Sequence, residues 1–204
     1  MILLNKGRKM IIKNFDIYDG SILQDRFVYD FFKTRVLRTG NIIAFRAPMK
    51  VDEKFMVDKE DLENDDFIFS DDAINFCIEI PDISLFAGVC FQRLFVSIVA
   101  NILASKYLQC NIEVEGDDII VHKEHEQGGI VQKKGKASVS IAKQVNGAVL
   151  IHLGINIKAG KKAPAYAFST NLTDEQCEQF MREIIEMFYG LANDIFVSTC
   201  KIVK

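Results

Sequence analysis

Tryptophan is absent, proline occurs three times, and no two cysteines stand in a Cys-x-x-Cys pair. With sixteen phenylalanines among the 204 residues, the aromatic part of the interior must be built from phenylalanine. The five cysteines (Cys77, Cys90, Cys110, Cys177, Cys200) are scattered and odd in number. That excludes a small disulfide scaffold or a four-cysteine zinc site and reads as buried thiols in a reducing compartment. A net charge of −3 gives no general attraction for nucleic acid. No repeat or low-complexity tract is present, and neither is a nucleophile elbow or a Gly-rich phosphate loop. The N-terminal "MILLNKGRKM" is basic, but its apolar run is too short for a signal peptide.

One long apolar run exists, "ISLFAGVCFQRLFVSIVANILA" (83–104), and it carries Gln92 and Arg93 near its middle. An arginine at mid-bilayer costs about 2.5–3.5 kcal/mol, so the run is expected to be a buried helix, with Leu94, Ile98 and Leu103 inside. A cytoplasmic protein with no membrane or nucleic-acid partner follows as the expectation. The length suits a single domain over 1–204.

Three helices are predicted. "SILQDRFVYDFFKTR" opens with Ser21 and Gln24 in capping-box spacing, the apolar run is set to start near Asp82, and "TDEQCEQFMREIIEMFYGL" opens with Thr173 and Gln176. The third places Cys177, Phe180, Met181, Ile184, Ile185 and Phe188 on one face. Strand-like runs lie between them: "NIIAFRA", "DFIFS", "INFCIEI", "NIEVE", "DIIVH", "ASVSIA", "GAVLIHLGINI" and a C-terminal "IFVSTCKIV". Strands with a few helices and hairpin-like turns argue an α+β fold with a mostly antiparallel sheet flanked by helices. "EHEQGG" (124–129) and "KAGKKAPA" (158–165) read as surface loops.

By period two, Lys136, Ser138, Ser140 and Ala142 share one strand face, opposite Ala137, Val139 and Ile141. In the returning strand Val149 to Ile157 make an aliphatic face, and Ala148, Leu150, His152, Gly154 and Asn156 make a small and polar one. Matching like faces favours a three-residue loop, Val145-Asn146-Gly147, pairing Lys136 with Asn156, Ser138 with Gly154 and Ser140 with His152. A five-residue loop keeps the faces matched too, whereas a two-residue Asn-Gly turn mixes them. The result would be a shallow trough with a lysine at its edge. Lys136 then suits a carboxylate or phosphate, and Gly154 a close approach or a bulge. Asn156 offers hydrogen bonds or simply ends the strand. Asp117-Asp118 suits a metal held through waters or a plain hairpin turn. "HKEHE" (122–126) reads as surface rather than zinc.

In order and spacing, "GDDIIV" (116–121), "GKASVSIA" (135–142) and "VLIHLGINI" (149–157) resemble the biotin and lipoate protein ligase superfamily. The whole chain, "YDGSILQDRFVYDFF" (18–32) included, is similar to a domain-of-unknown-function family with that class II synthetase-like fold. The resemblance implies that Lys136 contacts a substrate carboxylate and the adenylate phosphate as the catalytic clamp, and it maps the family's Asn-Asp turn onto Asp117 and Asp118, which as adjacent carboxylates are the metal candidates. It sets Ser138, Gly154 and Asn156 beside the substrate, with Arg46 considered as a further cation. ATP and Mg²⁺ are candidate cofactors, the cofactor being left open. Where those ligases carry a Gly/Arg-rich loop, "DLENDDFIFSDDAINF" (61–76) is acidic and has neither residue, which would repel a nucleotide phosphate. The expectation is therefore a transferase or ligase for a small carboxylic acid or its activated ester. The alternative is a non-catalytic carboxylate-binding domain that kept the fold. The partner is a small carboxylate or acyl ligand, and a homodimer is left open.

Overall fold

The computed structural model describes residues 10–33, 36–51, 53–63, 67–125 and 131–202. Among these, eight strands and four α-helices follow one another as β1 (Ile11–Ile12), α1 (Val28–Phe32), β2 (Asn41–Lys50), α2 (Lys59–Glu63), β3 (Phe69–Pro81), α3 (Leu85–Ile102), β4 (Ile112–Glu115), β5 (Asp118–His125), β6 (Val131–Lys136), β7 (Ser138–Val145), β8 (Ala148–Lys158) and α4 (Asp174–Cys200). A five-stranded sheet has the order β1-β2-β3-β8-β7, and a three-stranded sheet the order β4-β5-β6. All pairings are antiparallel except β1 with β2. The α+β class and its mostly antiparallel sheets are as read from the sequence. The N-terminal stretch 1–9, most of "EHEQGG" and part of the acidic 61–76 run lie outside the described residues.

The large sheet has a core on each face. On one, Ile42, Ala44, Ile74, Phe76, Ile78, Ile151 and Leu153 meet Phe95, Val99 and Leu103 of α3 and Phe180, Ile184 and Phe188 of α4. On the other, Phe45, Met49, Cys77 and Leu150 meet Tyr18, Leu23, Phe27 and Val28. Every residue of β8 from Ala148 to Ile157 is buried, so the expected open trough on that strand is roofed by the N-terminal segment. Glu79, fully buried on β3, organises that roof: it accepts from Arg26 Nε at 2.8 Å and from the backbone N–H groups of Phe27 and Val28 at 2.9 Å each. A carboxylate at the start of a short helix satisfies donors that the helix leaves unpaired.

Several expectations change. The capping box at Ser21 does not form; Ser21 N–H donates to Asp19 Oδ1, and the segment is a 3-10 turn (Ser21–Leu23) followed by α1. α3 is capped by Ser84 rather than starting at Asp82, and it runs on as a π-helical turn over Leu103–Leu108. α3 is long and apolar enough to cross a membrane, yet it lays Phe95, Val96, Val99 and Ala100 into the core. Leu103 in the π turn is buried as expected, but Leu94 is 42% exposed and Ile98 only half-buried. The Thr173 capping box forms as read. In the C-terminal "IFVSTCKIV", expected as a strand, the stretch from Ile195 to Cys200 instead completes α4, because helical periodicity already running from Cys177 outweighs local β-branching. "DFIFS" and "INFCIEI" are not two strands; β3 runs unbroken from Phe69. Of the five cysteines, only Cys77 and Cys177 are buried; Cys90 and Cys200 are exposed.

The β7–β8 register also differs from the reading by matched faces. Val145 stands opposite Ala148, Ser140 opposite Leu153 and Ser138 opposite Ile155. Asn146 and Gly147 both have positive φ (45° and 76°), the signature of a two-residue type I′ hairpin. Ser138 and Ser140 therefore share the face of Leu153 and Ile155, while Val139 and Ile141 share that of His152 and Gly154. Mixed faces are tolerated because β7 ends the sheet, and its serines find polar partners.

Candidate functional site

Lys136 closes β6 rather than opening β7, and Ala137 carries the chain from the small sheet to the large one. Its backbone is fixed on both sides: its N–H donates to Tyr166 O, and its carbonyl accepts from Phe168 N–H, each at 2.8 Å. Ala137 O then accepts from Asn156 N–H at 2.9 Å. Gly135 lets this crossing pack, since a Cβ there would stand 2.9 Å from Phe168 Cβ.

The β4–β5 turn lies beside it. Asp118 Oδ1 is 2.9 Å from Lys136 Nζ, and Arg93 Nη1 is 3.1 Å from Asp117 Oδ1. Gln92, buried on α3, donates to Asp117 Oδ2 and to Ser140 Oγ at 2.8 Å each. Ser140 Oγ passes its proton on to His152 O at 2.8 Å, and Ser138 Oγ accepts from Ile119 N–H at 2.8 Å. Burial holds the Asp118 carboxyl above the ordinary aspartate value; Lys136 pulls against that and Asp117 adds to it.

Of these, Asp117, Asp118, Lys136, Ser140 and His152 border a cleft of about 370 Å³. One wall comes from the N-terminal segment (Tyr18, Gly20, Leu23). A second is the β2–β3 connection with Val51, Phe55, Val57, Asp58 and Ile68. The rest is Asp117, Asp118, Lys136, Val139, Ser140, Ile141, His152 and Tyr166. His152 Nε2 lies 2.9 Å from Asn75 Oδ1, and its ring stacks on Tyr18 at 3.8 Å. Burial lowers the imidazole to about 3, so it is neutral across the physiological range, and raises the Tyr18 hydroxyl well above its usual value. Neither residue was picked out as a site candidate from the sequence. The alternation of β8 put His152 on the right face, but nothing in the sequence shows Tyr18 lying across it.

The candidates read from the sequence divide into three groups. Lys136, Asp117 and Asp118 line the cleft together. Ser138 and Asn156 line a side pocket of about 50 Å³ that shares Ile68, Lys136, Val139 and Tyr166 with the cleft. Asn156 is held near Lys136 by its neighbours rather than by strand pairing, its Nδ2 lying 3.5 Å from Lys136 O. Gly154 and Arg46 lie apart. A Cβ on Gly154 would stand 2.6 Å from Met49 Sδ, so its close approach is to a side chain, not a ligand. Arg46 shares the face of Ala44 and is bound to Asp72 and Asp174, each at 2.6 Å, on the helix-covered side of the sheet. Those partners hold its guanidinium charged.

A divalent ion on Asp117 and Asp118 would have to displace Arg93 and Lys136, and among the described residues no cluster of three or more His, Cys, Asp or Glu could hold one. The donor set does not fit a resident metal. His122 pairs with Glu113 at 3.2 Å on the small sheet. The acidic run contributes the end of α2 and the first half of β3, where Asp72 binds Arg46. The residues that wall the cleft from this side are mainly apolar ones upstream of it.

The sequence profile described as "Domain of unknown function (DUF366)" matches residues 8–203. A curated relative, an uncharacterized protein of Methanocaldococcus jannaschii, is 29% identical over 192 residues, covering 84% of this chain and 80% of its own. A solved protein of unknown function from Pyrococcus horikoshi superposes with a TM-score of 0.80 at 23% identity, over 95% of this chain and 96% of that one. Biotin protein ligase from Aquifex aeolicus, in complex with biotin and ATP, superposes with a TM-score of 0.53 at 9% identity, over 89% and 71%. The fold is thus the biotin/lipoate ligase-like one.

Proposed function

We propose, from the premise that the chain belongs to the DUF366 family, that its cleft binds a small carboxylic acid or its activated ester and acts on it as a transferase or ligase. The observation that carries this reading is the placement of Lys136 in a cleft that sets aliphatic and aromatic side chains beside its polar groups. A lysine with its backbone fixed offers a point charge to a carboxylate, while Leu23, Val51, Phe55, Val57, Ile68, Val139 and Ile141 suit a hydrocarbon body. Asp118 takes one side of the ammonium, and the other N–H groups remain for the ligand. On an ester, the same ammonium would face the negative charge that develops on the acyl oxygen. The ligase-like fold supports the class of ligand, not the chemistry.

A second reading, a carboxylate-binding domain without catalysis, is favoured by the local charges. Lys136 and Arg93 are each matched by a carboxylate. A nucleotide triphosphate would find neither of these cations unmatched. Thermal unfolding with hexanoate, octanoate and ATP·Mg²⁺, singly and together, tests both, since a ligand that binds only the folded state raises the midpoint. A rise with an acid supports the proposal, and a further rise with ATP·Mg²⁺ favours the ligase. A rise with the acid alone favours the ATP-independent readings. No rise with any acid overturns the carboxylate reading.

A further inference from the structure

Tyr18 is 3% exposed and opens the stretch "YDGSILQDRFVYDFF", to which the carboxylate reading gives no role. Its backbone is tied to β2: its N–H donates to Pro48 O and its carbonyl accepts from Lys50 N–H, each at 2.9 Å. Its ring lies on that of His152 in β8, with centroids 3.8 Å apart. The side chain thus runs from the edge of β2 toward β8, and the hydroxyl, beyond the ring, is the part nearest β7. Val139 and Ile141 of β7 line the cleft together with Tyr18 and His152.

Among the described residues the Tyr18 hydroxyl has no hydrogen-bond partner, yet its oxygen is not sealed from solvent. The cleft is the cavity that Tyr18 lines, so the little exposure it keeps opens there. The ring beneath it is held fast. Asn75 Nδ2 donates to Ala47 O and Ala73 O, which leaves Asn75 Oδ1 to accept from His152 Nε2–H. Burial keeps the phenol protonated, so it stays a donor. Buried tyrosine hydroxyls usually find a partner, and here the partner has to come from the cleft. Lys136 is the one cation among the described residues that line it. Ile141 stands opposite His152, and β7 advances about 10 Å from Ser138 to Ile141, so hydroxyl and lysine address different parts of one ligand.

We infer that Tyr18 reads a neutral oxygen, hydroxyl or carbonyl, on the body of the acid several carbons from its carboxylate, so that the ligand class is an oxygenated medium-chain acid or its ester. Lys136 takes the carboxylate, and Tyr18 O–H donates to the second oxygen. A second carboxylate is disfavoured, because no further cation lines the cleft to meet its charge. This inference rests on the carboxylate reading proposed above and narrows its substrate class.

Calorimetric titration of the full chain with octanoate, 8-hydroxyoctanoate, 7-oxooctanoate and octanedioate tests it. A neutral oxygenated acid is expected to bind about three- to tenfold more tightly than octanoate, the range of a neutral hydrogen bond, and octanedioate more weakly than that acid. Tyr18→Phe keeps a ring on His152 and removes only the hydroxyl. It should erase the preference and leave the urea midpoint where it was, since no protein group loses a partner. Octanoate binding at least as tightly as both neutral oxygenated acids overturns the inference while leaving the carboxylate reading intact. So does a preference that survives Tyr18→Phe, or octanedioate as the tightest ligand. A Tyr18→Phe protein that fails to fold, or unfolds at lower urea, shows the hydroxyl bonded within the protein and overturns the inference as well. Binding of no acid at all overturns both.

Discussion

The ring of Tyr18 lies parallel to that of His152, 8° from coplanar and with centroids 3.8 Å apart. The stack seals the imidazole between the N-terminal segment and β8, and burial lowers its pKa from 6.5 to about 3. The unfolded chain, at about 6.5, therefore takes up a proton that the folded chain refuses. Stability from this group is full above about pH 6.5 and is lost as pH falls toward 3, at up to about 1.4 kcal/mol per pH unit. Urea denaturation between pH 7 and 4 should show that slope. His152→Gln should flatten it.

Lys136→Ala should leave the fold intact, since the lysine's backbone rather than its side chain joins the sheets. It should weaken hexanoate binding by about 1.5–3 kcal/mol, the range for a hydrogen bond to a charged group. Lys136→Arg should restore only part, because the planar fork is aimed differently. Removing the lysine also takes away the group that opposes burial at Asp118, so that carboxyl should titrate higher still, as NMR of its side chain can follow. Equal hexanoate affinity in all three proteins would leave Lys136 outside the binding site.

Two glycines should differ sharply when replaced by alanine. At Gly88 the new Cβ would stand 2.4 Å from Val149 Cγ1 and 2.9 Å from Val149 Cβ and Cγ2. Val149 is β-branched on a fully buried strand, so it cannot turn away. At Gly154 the tightest neighbour is Met49 Sδ at 2.6 Å, on an unbranched side chain that can shift, with His152 Cε1 next at 3.1 Å. Gly88→Ala is expected to cost about 3 kcal/mol and Gly154→Ala about 1, within the range for overpacking. The ranking can be read from denaturant midpoints.

On α3, Leu94 is 42% exposed and Phe95 not at all. Phe95 makes ring contacts with Phe76, Phe91 and Phe188. Phe95→Ala should cost about 3–5 kcal/mol, and Leu94→Ala less than about 1. A reversed order in calorimetric unfolding would mean that the helix is rotated from the orientation described.

The sequence carried the class of fold, the Thr173 cap, most strand positions and the order of the three motifs around Lys136, because each rests on local periodicity or spacing. The register of β7 was not legible from face matching. That rule assumes that like faces pair, whereas Ser138 and Ser140 lie on the helix side, where Ile119 N–H and Gln92 supply long-range partners. Local turn chemistry at Asn146-Gly147 was the better guide. The cleft walls were illegible for a related reason. Tyr18 and Phe55 reach the site from elements with almost no regular structure, so neither periodicity nor motif announces them. Arg46 lies away from the cleft: alternation along β2 gives its face, and only the tertiary fold shows that Asp174 waits on that face.

Lys136 is pinned at its N–H by Tyr166 and at its carbonyl by Phe168, and the next residue is tied to Asn156. A ligand arriving there orders one side chain and no main chain. The backbone entropy of capture, about 1–2 kcal/mol for each residue fixed, is spent during folding instead of at binding. Occupancy should therefore leave amide hydrogen exchange at 135–138 and 166–168 nearly unchanged, and slow it chiefly along the cleft wall at Val51, Phe55, Val57 and Ile68.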